Sequence, residues 1–172
     1  MHFFEVIRRR RSVRAFLKKP VAADTLRTIL EAANAAPSAG NLQSYEIYVV
    51  TTDLTRVALA HAADDQFFVA GAPAALVFCT HAARVAEQYA ERGEQLYTVQ
   101  DATIACAFAM LAAAALGLAS VWVGAFRPGE VRRIVGAPPG IEPVAILPIG
   151  YAAEEPISPG RRPLDDLVHR VP

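Results

Sequence analysis

Arg8-Arg9-Arg10-Arg11-Ser12-Val13-Arg14-Ala15-Phe16 sets five arginines in nine residues beside Val13 and Phe16, two side chains that belong in a core. Phe3, Phe4, Val6 and Ile7 ahead of it predict a short helix with Arg8 and Arg9 on its surface. From Ser12 to Pro20 the chain reads as extended. Side chains then alternate with period two, so Arg10, Ser12 and Arg14 share one side and Val13 takes the other. Guanidinium forks match phosphate oxygens two bonds at a time, and a serine hydroxyl adds a third contact. Two readings of the stretch remain open: a solvated basic face with a weak attraction for nucleic acid, or a clamp for one compact anion such as a phosphate.

The rest of the chain narrows the context. In 172 residues, 53% are hydrophobic and 20% charged, with mean hydropathy +0.26. That composition supports a large core, excludes a disordered chain, and fits a single domain over residues 1–172. Seventeen basic residues balance seventeen acidic ones, which argues against any global pull toward nucleic acid or anionic membrane. Yet seven of those seventeen cations lie in the first twenty residues, opposed there only by Glu5. Cys79 and Cys106 sit in apolar surroundings without metal-type spacing and read as buried thiols, with a disulfide left open. No signal peptide is visible, and the longest apolar run, Ala102 to Leu116, falls short of the ~20 residues of a membrane span. A cytoplasmic protein with no membrane partner is expected.

Periodicity predicts a helix over Asp24–Asn34 from Leu26, Ile29, Leu30 and Ala33, stopped by Pro37. Ser38-Ala39-Gly40-Asn41 is a loop. Strands are expected at Tyr45–Thr51, Ala74–Cys79, Ser120–Phe126 and Pro143–Ile149, with Pro148 marking the last as an edge or strand end. Asp53 and Asp101 stand where helix caps are needed. A polar helix spans about Ala82–Gln95. The helix from Asp101 to Gly117 is apolar almost all round, hence central in the domain or covered by a partner. Another helix runs from Pro128 to about Gly136. The irregular mixing of helices and strands favours an α+β or mixed-sheet fold. The proline-rich tail carrying Arg161 and Arg162 has no core of its own and is expected to wrap over something.

Several chemistries are missing from the sequence. There is no Gly-x-Gly-x-x-Gly, no phosphate loop ending in Gly-Lys-Ser/Thr and no Gly-x-Ser-x-Gly elbow. His2, His61, His81 and His169 lack ligand spacing. Metal sites and serine or cysteine hydrolase chemistry are therefore not expected, and no catalytic acid or base is assigned.

From about Phe4 to Arg170 the chain resembles the nitroreductase family of flavin enzymes. Arg10-Arg11-Ser12-Val13-Arg14-Ala15-Phe16 is similar to that family's Arg-x-Ser-x-Arg-x-Phe signature. Ala35-Ala36-Pro37-Ser38-Ala39-Gly40-Asn41-Leu42-Gln43 resembles its Ala-Pro-Ser…Asn-x-Gln loop. Leu116-Gly117-Leu118-Ala119-Ser120-Val121-Trp122-Val123-Gly124, then Pro148-Ile149-Gly150-Tyr151, complete the match. Ser44-Tyr45 stand where the family often has Pro-Trp, and the chain is short for the family.

The resemblance implies a nitroreductase-like mixed β-sheet flanked by helices, in an intertwined homodimer whose C-terminal tail wraps the partner. It implies FMN held by Arg10, Arg11, Ser12 and Arg14, with Arg161 and Arg162 closing near the phosphate. Pro37, Ser38, Ala39 and Asn41 would approach from the other subunit, Gln43 would bind the cofactor or bond only to neighbouring backbone, and Val123, Gly124 and Ala125 would run beside the ring. Phe67, Phe68, Tyr89 and Tyr97 are candidate pocket walls, core packing being the alternative for each. The implied activity passes hydride from NAD(P)H through flavin to an electron-poor small molecule such as a nitroaromatic or quinone. A different flavin reaction on the same fold (reductive dehalogenation or flavin fragmentation) and a non-catalytic nucleotide- or nucleic-acid-binding module are the alternatives.

Overall fold

An uninterrupted apolar strand needs cover on both faces, and Ala74–His81 receives it. In the computed structural model, which describes residues 2–171, this strand is β2. It pairs antiparallel with β1 (Tyr45–Val50) on one side and β4 (Ile141–Gly150) on the other. The two-residue strand β3 (Ala119–Ser120) flanks β4, giving the order β1-β2-β4-β3.

Alternation along β2 sorts its side chains. Leu76 and Phe78 face helices α2 (Ala23–Asn34) and α6 (Thr98–Ala115), packing with Ile29, Ala33, Ala105 and Ala109. Ala75, Val77 and Cys79 face the opposite layer, with Leu59 of α3 (Asp53–Ala62), Val69 of α4 (Phe68–Gly71) and Val131 of α7 (Pro128–Val135). Ser12 bridges Ser120 in parallel, so the arginine-rich segment lies against the β3 edge and makes the sheet mixed. The α+β expectation holds. Phe78 is wholly buried between β1, β4 and α6, so Phe78→Ala should cost about 3–5 kcal/mol, read as a shifted midpoint in urea.

Some boundaries differ from the sequence reading. The stretch 120–126 yields only the end of β3 and one bridge, Val123 to Ile146. Pro148 explains this, although β4 proves to be an interior strand and not an edge. Ile146 turns its N–H toward Val123. Two residues on, the Pro148 nitrogen faces the same side and has no hydrogen to give Val121. The ladder breaks there. Asp53 is not the cap of α3 but its first residue, paired with Arg56 at 2.6 Å.

Nor does Asp101 cap α6. Helix α5 (Ala83–Arg92) passes through a π turn, Gly93–Tyr97, directly into α6, leaving Asp101 inside the first turn. The run Ala83–Ala115 is long enough to cross a bilayer. Its α6 half nevertheless buries Ala102, Ala105, Cys106, Ala109 and Ala113 against α2 and the sheet, which makes it a core helix. The opposite α6 face carries Phe108, 38% exposed. Both cysteines are free and buried, and burial pushes the Cys79 thiol up to about 12, so neither is poised to react.

Candidate functional site

Helix α1 (Phe3–Arg9) delivers the arginines to the β3 edge, where its solvent side keeps Arg9 paired with Glu5 at 2.9 Å. Past the helix, alternation works as the spacing requires: Val13 is 4% exposed, while Ser12 and Arg14 face solvent. Arg10 is half-buried, its Nη1 lying 3.9 Å from Met110 Sδ on α6. Burial, then the like charges of Arg161 and Arg11, pull the Arg10 guanidinium below its ordinary value. The tail therefore brings Arg161 back to Arg10 of the same chain. A cavity of about 320 Å³ lies here, lined by Arg9, Arg10, Arg11, Val13, Gly117 and Ser120.

The grip is less symmetrical than alternation alone implies. Ser12 and Arg14 stand outside that cavity, with Arg14 Cζ 5.8 Å above the Phe68 ring centroid. Arg11 turns Nη1 back to the carbonyls of Arg8 and Arg10, at 2.6 and 2.8 Å, and so closes the end of α1. Arg162 donates to the Asp166 carbonyl within the tail. Glu154, unmarked in the sequence, accepts the Arg14 and Ala15 N–H groups at 2.5 and 3.1 Å and fixes the segment from behind.

Beside this corner, Val123 spends both backbone groups on Ile146 and cannot face a ligand through them. Gly124 and Ala125 are exposed, and their N–H groups donate to nothing among the described residues. A Cβ at Gly124 would meet only the Trp122 indole, at 3.4 Å, so packing within the chain does not demand glycine there. Gln66 Nε2 donates to the Ala125 carbonyl at 3.0 Å, drawing Phe67 and Phe68 to the same corner.

The second group of candidate residues assembles elsewhere. Pro37, Ser38 and Ala39 line a cavity of about 390 Å³ with Tyr89, Tyr97, Gln100, Asp101 and Ile104. The loop is tightly folded, since Gly40, Asn41 and Gln43 all take positive φ (56°, 55° and 43°). Gln43 is spent within it, donating from its side-chain amide to Ser38 Oγ and to Asn41 Oδ1 at 3.1 and 2.9 Å. Tyr89 and Tyr97 meet edge to face at 5.2 Å above the loop, Tyr89 from α5 and Tyr97 from the π turn. A Cβ at Gly40 would come within 2.8 Å of the Tyr89 hydroxyl. Gly40→Ala should thus cost about 1–2 kcal/mol from the left-handed backbone alone. Adding Tyr89→Phe should recover only the steric part of the lost melting temperature.

The two groups occupy diagonally opposite corners. The Ser12 segment joins the β3 edge at the Ile149 end of β4, whereas the loop enters β1 at Tyr45, opposite Thr80 and Glu142. Four strand spacings of about 4.8 Å put ~19 Å between these edges. Along α6, the rise of about 1.5 Å per residue separates Asp101 at one cavity from Ala114 at the other by ~20 Å.

Sequence reasoning missed Ser44 and gave Asp101 only a cap. A lone acid at the head of an otherwise apolar helix was the available signal.

The model of the nitroreductase family matches residues 7–82 and 59–151, so the chain belongs to the nitroreductase family. An NADH dehydrogenase of Thermus thermophilus is 35% identical, over 93% of this chain and 91% of that protein. Nitroreductase A from Vibrio parahaemolyticus superposes with TM-score 0.90 at 30% identity, covering 99% of this chain and 75% of its own. The NADPH:FMN oxidoreductase from Vibrio harveyi, solved with NAD+, superposes with TM-score 0.89 at 29% identity, covering 98% and 76%.

Proposed function

We propose that residues 1–172 form a single-domain, NAD(P)H-dependent flavin oxidoreductase of nitroreductase type, working as a homodimer with FMN at the interface. The observation that carries this is the separation of the two half-sites. A basic corner and an aromatic-walled loop corner ~20 Å apart on one chain meet around a single ligand only if two chains pair, basic corner of one to loop corner of the other. The exposed Phe108 face of α6 is the apolar surface for that pairing, and the exposed end of the tail beyond Arg162 reaches over the partner.

The residues present fit FMN. Arg10, Arg11 and Arg161 crowd like charge into one place, which a phosphate dianion would relieve. The unspent N–H groups of Gly124 and Ala125 offer donors at an open surface. Bound there, FMN supplies hydride chemistry. The chain's own share is binding and electrostatics. Arg10, Arg11 and Arg161 offset the phosphate charge, while Ser12 and Arg14 direct the sugar-phosphate chain. The Gly124 and Ala125 N–H groups stabilise negative charge at the ring edge. Ser38, Ala39, Tyr89 and Tyr97 of the second chain close the other side, and Phe67 stands 55% exposed at the mouth. With Phe67 open to solvent at its mouth, the pocket admits electron-poor acceptors such as nitroaromatics and quinones.

The test is purification followed by desalting. A yellow protein with one FMN per chain, eluting at twice the chain mass and oxidising NADH or NADPH with a nitroaromatic or quinone, is the expected result. A colourless monomer that does not take up added FMN would overturn the reading. Turnover of halogenated phenols in preference to those acceptors would move the reaction to reductive dehalogenation.

A further inference from the structure

Asp101 is a buried carboxylate, 2% exposed, that has no cationic partner within salt-bridge distance among the described residues. An isolated buried charge is costly unless its oxygens are fully engaged. Those of Asp101 are engaged, and all by one short loop. Oδ1 accepts the Ala39 N–H at 2.9 Å, and Oδ2 accepts the Ser44 hydroxyl at 2.6 Å and, more weakly, the Ser44 N–H at 3.4 Å. The carboxylate therefore pins both ends of a segment in which Gly40, Asn41 and Gln43 hold left-handed backbone. Non-glycine residues at such angles need surroundings that over-determine them.

Pinning fixes what the loop can offer. Ser38 Oγ accepts the Gln43 N–H at 3.0 Å and, at 3.1 Å, competes with the Asn41 carbonyl and Oδ1, at 2.5 and 2.9 Å, for the two hydrogens of Gln43 Nε2. With Ser38 Oγ turned toward the Gln43 donors, its own hydroxyl hydrogen is left to give, and Ser38 lines the cavity beneath Tyr89 and Tyr97. We propose that Asp101 is a positioning residue that holds the Pro37–Ser44 loop so that Ser38 presents a hydrogen-bond donor to an acceptor atom of the flavin bound between two chains. This rests on the FMN reading above. A neutral amide at 101 has only one acceptor oxygen and would set an N–H₂ against the N–H of Ala39 or the Ser44 donors, so the charge is what lets one side chain serve all of them.

Asp101→Asn should raise the FMN dissociation constant about tenfold, the loss of charge-assisted bonds, and change the visible circular dichroism of bound flavin while the far-ultraviolet spectrum stays that of the parent. In a Ser38→Ala background the same change should weaken FMN less than about threefold, because the group it positions is gone. Equal effects in both backgrounds, or a dissociation constant and flavin spectrum unchanged in Asp101→Asn, would overturn the proposal. Should Asp101→Asn not fold, Ser44→Ala removes one leg only and decides: about threefold weaker FMN supports the proposal, and unchanged affinity overturns it. Hydrogen exchange of the FMN-free protein separates this from the functional reading. Loss of Ala39 amide protection in the variant supports the staple even if the parent protein takes up no FMN, and unchanged protection removes it.

Discussion

Arg10→Ala is expected to weaken FMN binding by roughly 10- to 150-fold without lowering the melting temperature of the FMN-free protein. The size follows from the loss of hydrogen bonds to a charged group, about 1.5–3 kcal/mol at ~1.4 kcal/mol per tenfold. The stability half follows from the environment. Arg10 is partly buried and faces Arg161 and Arg11, all of which disfavour its charge. A guanidinium held below its ordinary value gains nothing from its charge in the folded chain until an anion arrives. Removing it therefore relieves repulsion, offset by the lost packing of its stem near Met110. Fluorescence titration with FMN and a thermal melt of the FMN-free variant read the two halves separately. A melting temperature several degrees lower, with FMN affinity unchanged, would assign Arg10 to the fold and not to the phosphate. The affinity of the parent should also fall with added salt more steeply than that of the variant.

Phe108→Glu is expected to give a folded monomer that does not retain FMN. Phe108 lies on the outer face of α6 beside Leu111 and Ala115, around an apolar cavity of about 440 Å³ that also takes in Phe3 and Val6 of α1. The buried face of α6 is the other one, so the substitution leaves the core of the chain untouched. A carboxylate in a closed apolar interface costs several kcal/mol, enough to dissociate a dimer at micromolar concentration. Because the basic corner and the loop corner of one chain are ~20 Å apart, each monomer would keep half a site. Light scattering should report the mass of one chain, and desalting should leave the protein colourless. A monomer that still held one FMN per chain would show that the site is complete within the chain.

The arginine stretch shows how far the sequence reaches. Period-two alternation places Val13 in the core and leaves Ser12 and Arg14 outside, as the structure has it. Alternation is a property of the backbone and needs no knowledge of neighbours. It could not show that Arg11 folds back to close α1, or that Glu154, far along the chain, holds the Arg14 and Ala15 amides. Those are choices among long-range partners. The loop motif likewise places Pro37, Ser38 and Ala39 at a cavity, while the role of Gln43 is internal because it finds Ser38 and Asn41 within reach. Pro148 misled in an instructive way. Its missing N–H forbids one ladder bond, and only the registers show that this bond lies on the β3 side of an interior strand.

By itself, then, the sequence determined what local chemistry can determine: the apolar strand that must be covered twice, the clustered cations, the loop with small side chains, the alanine-rich helix with no polar face. The tertiary structure decided which of these come together. It brought the like charge of Arg161 to bear on Arg10 across the length of the chain, set Asp101 beneath Ala39 and Ser44, and turned Tyr89 edge to face with Tyr97 above them. It also put the basic corner and the loop corner ~20 Å apart on one chain. Distance across a sheet and along a helix is set by strand order and packing, and no motif carries it.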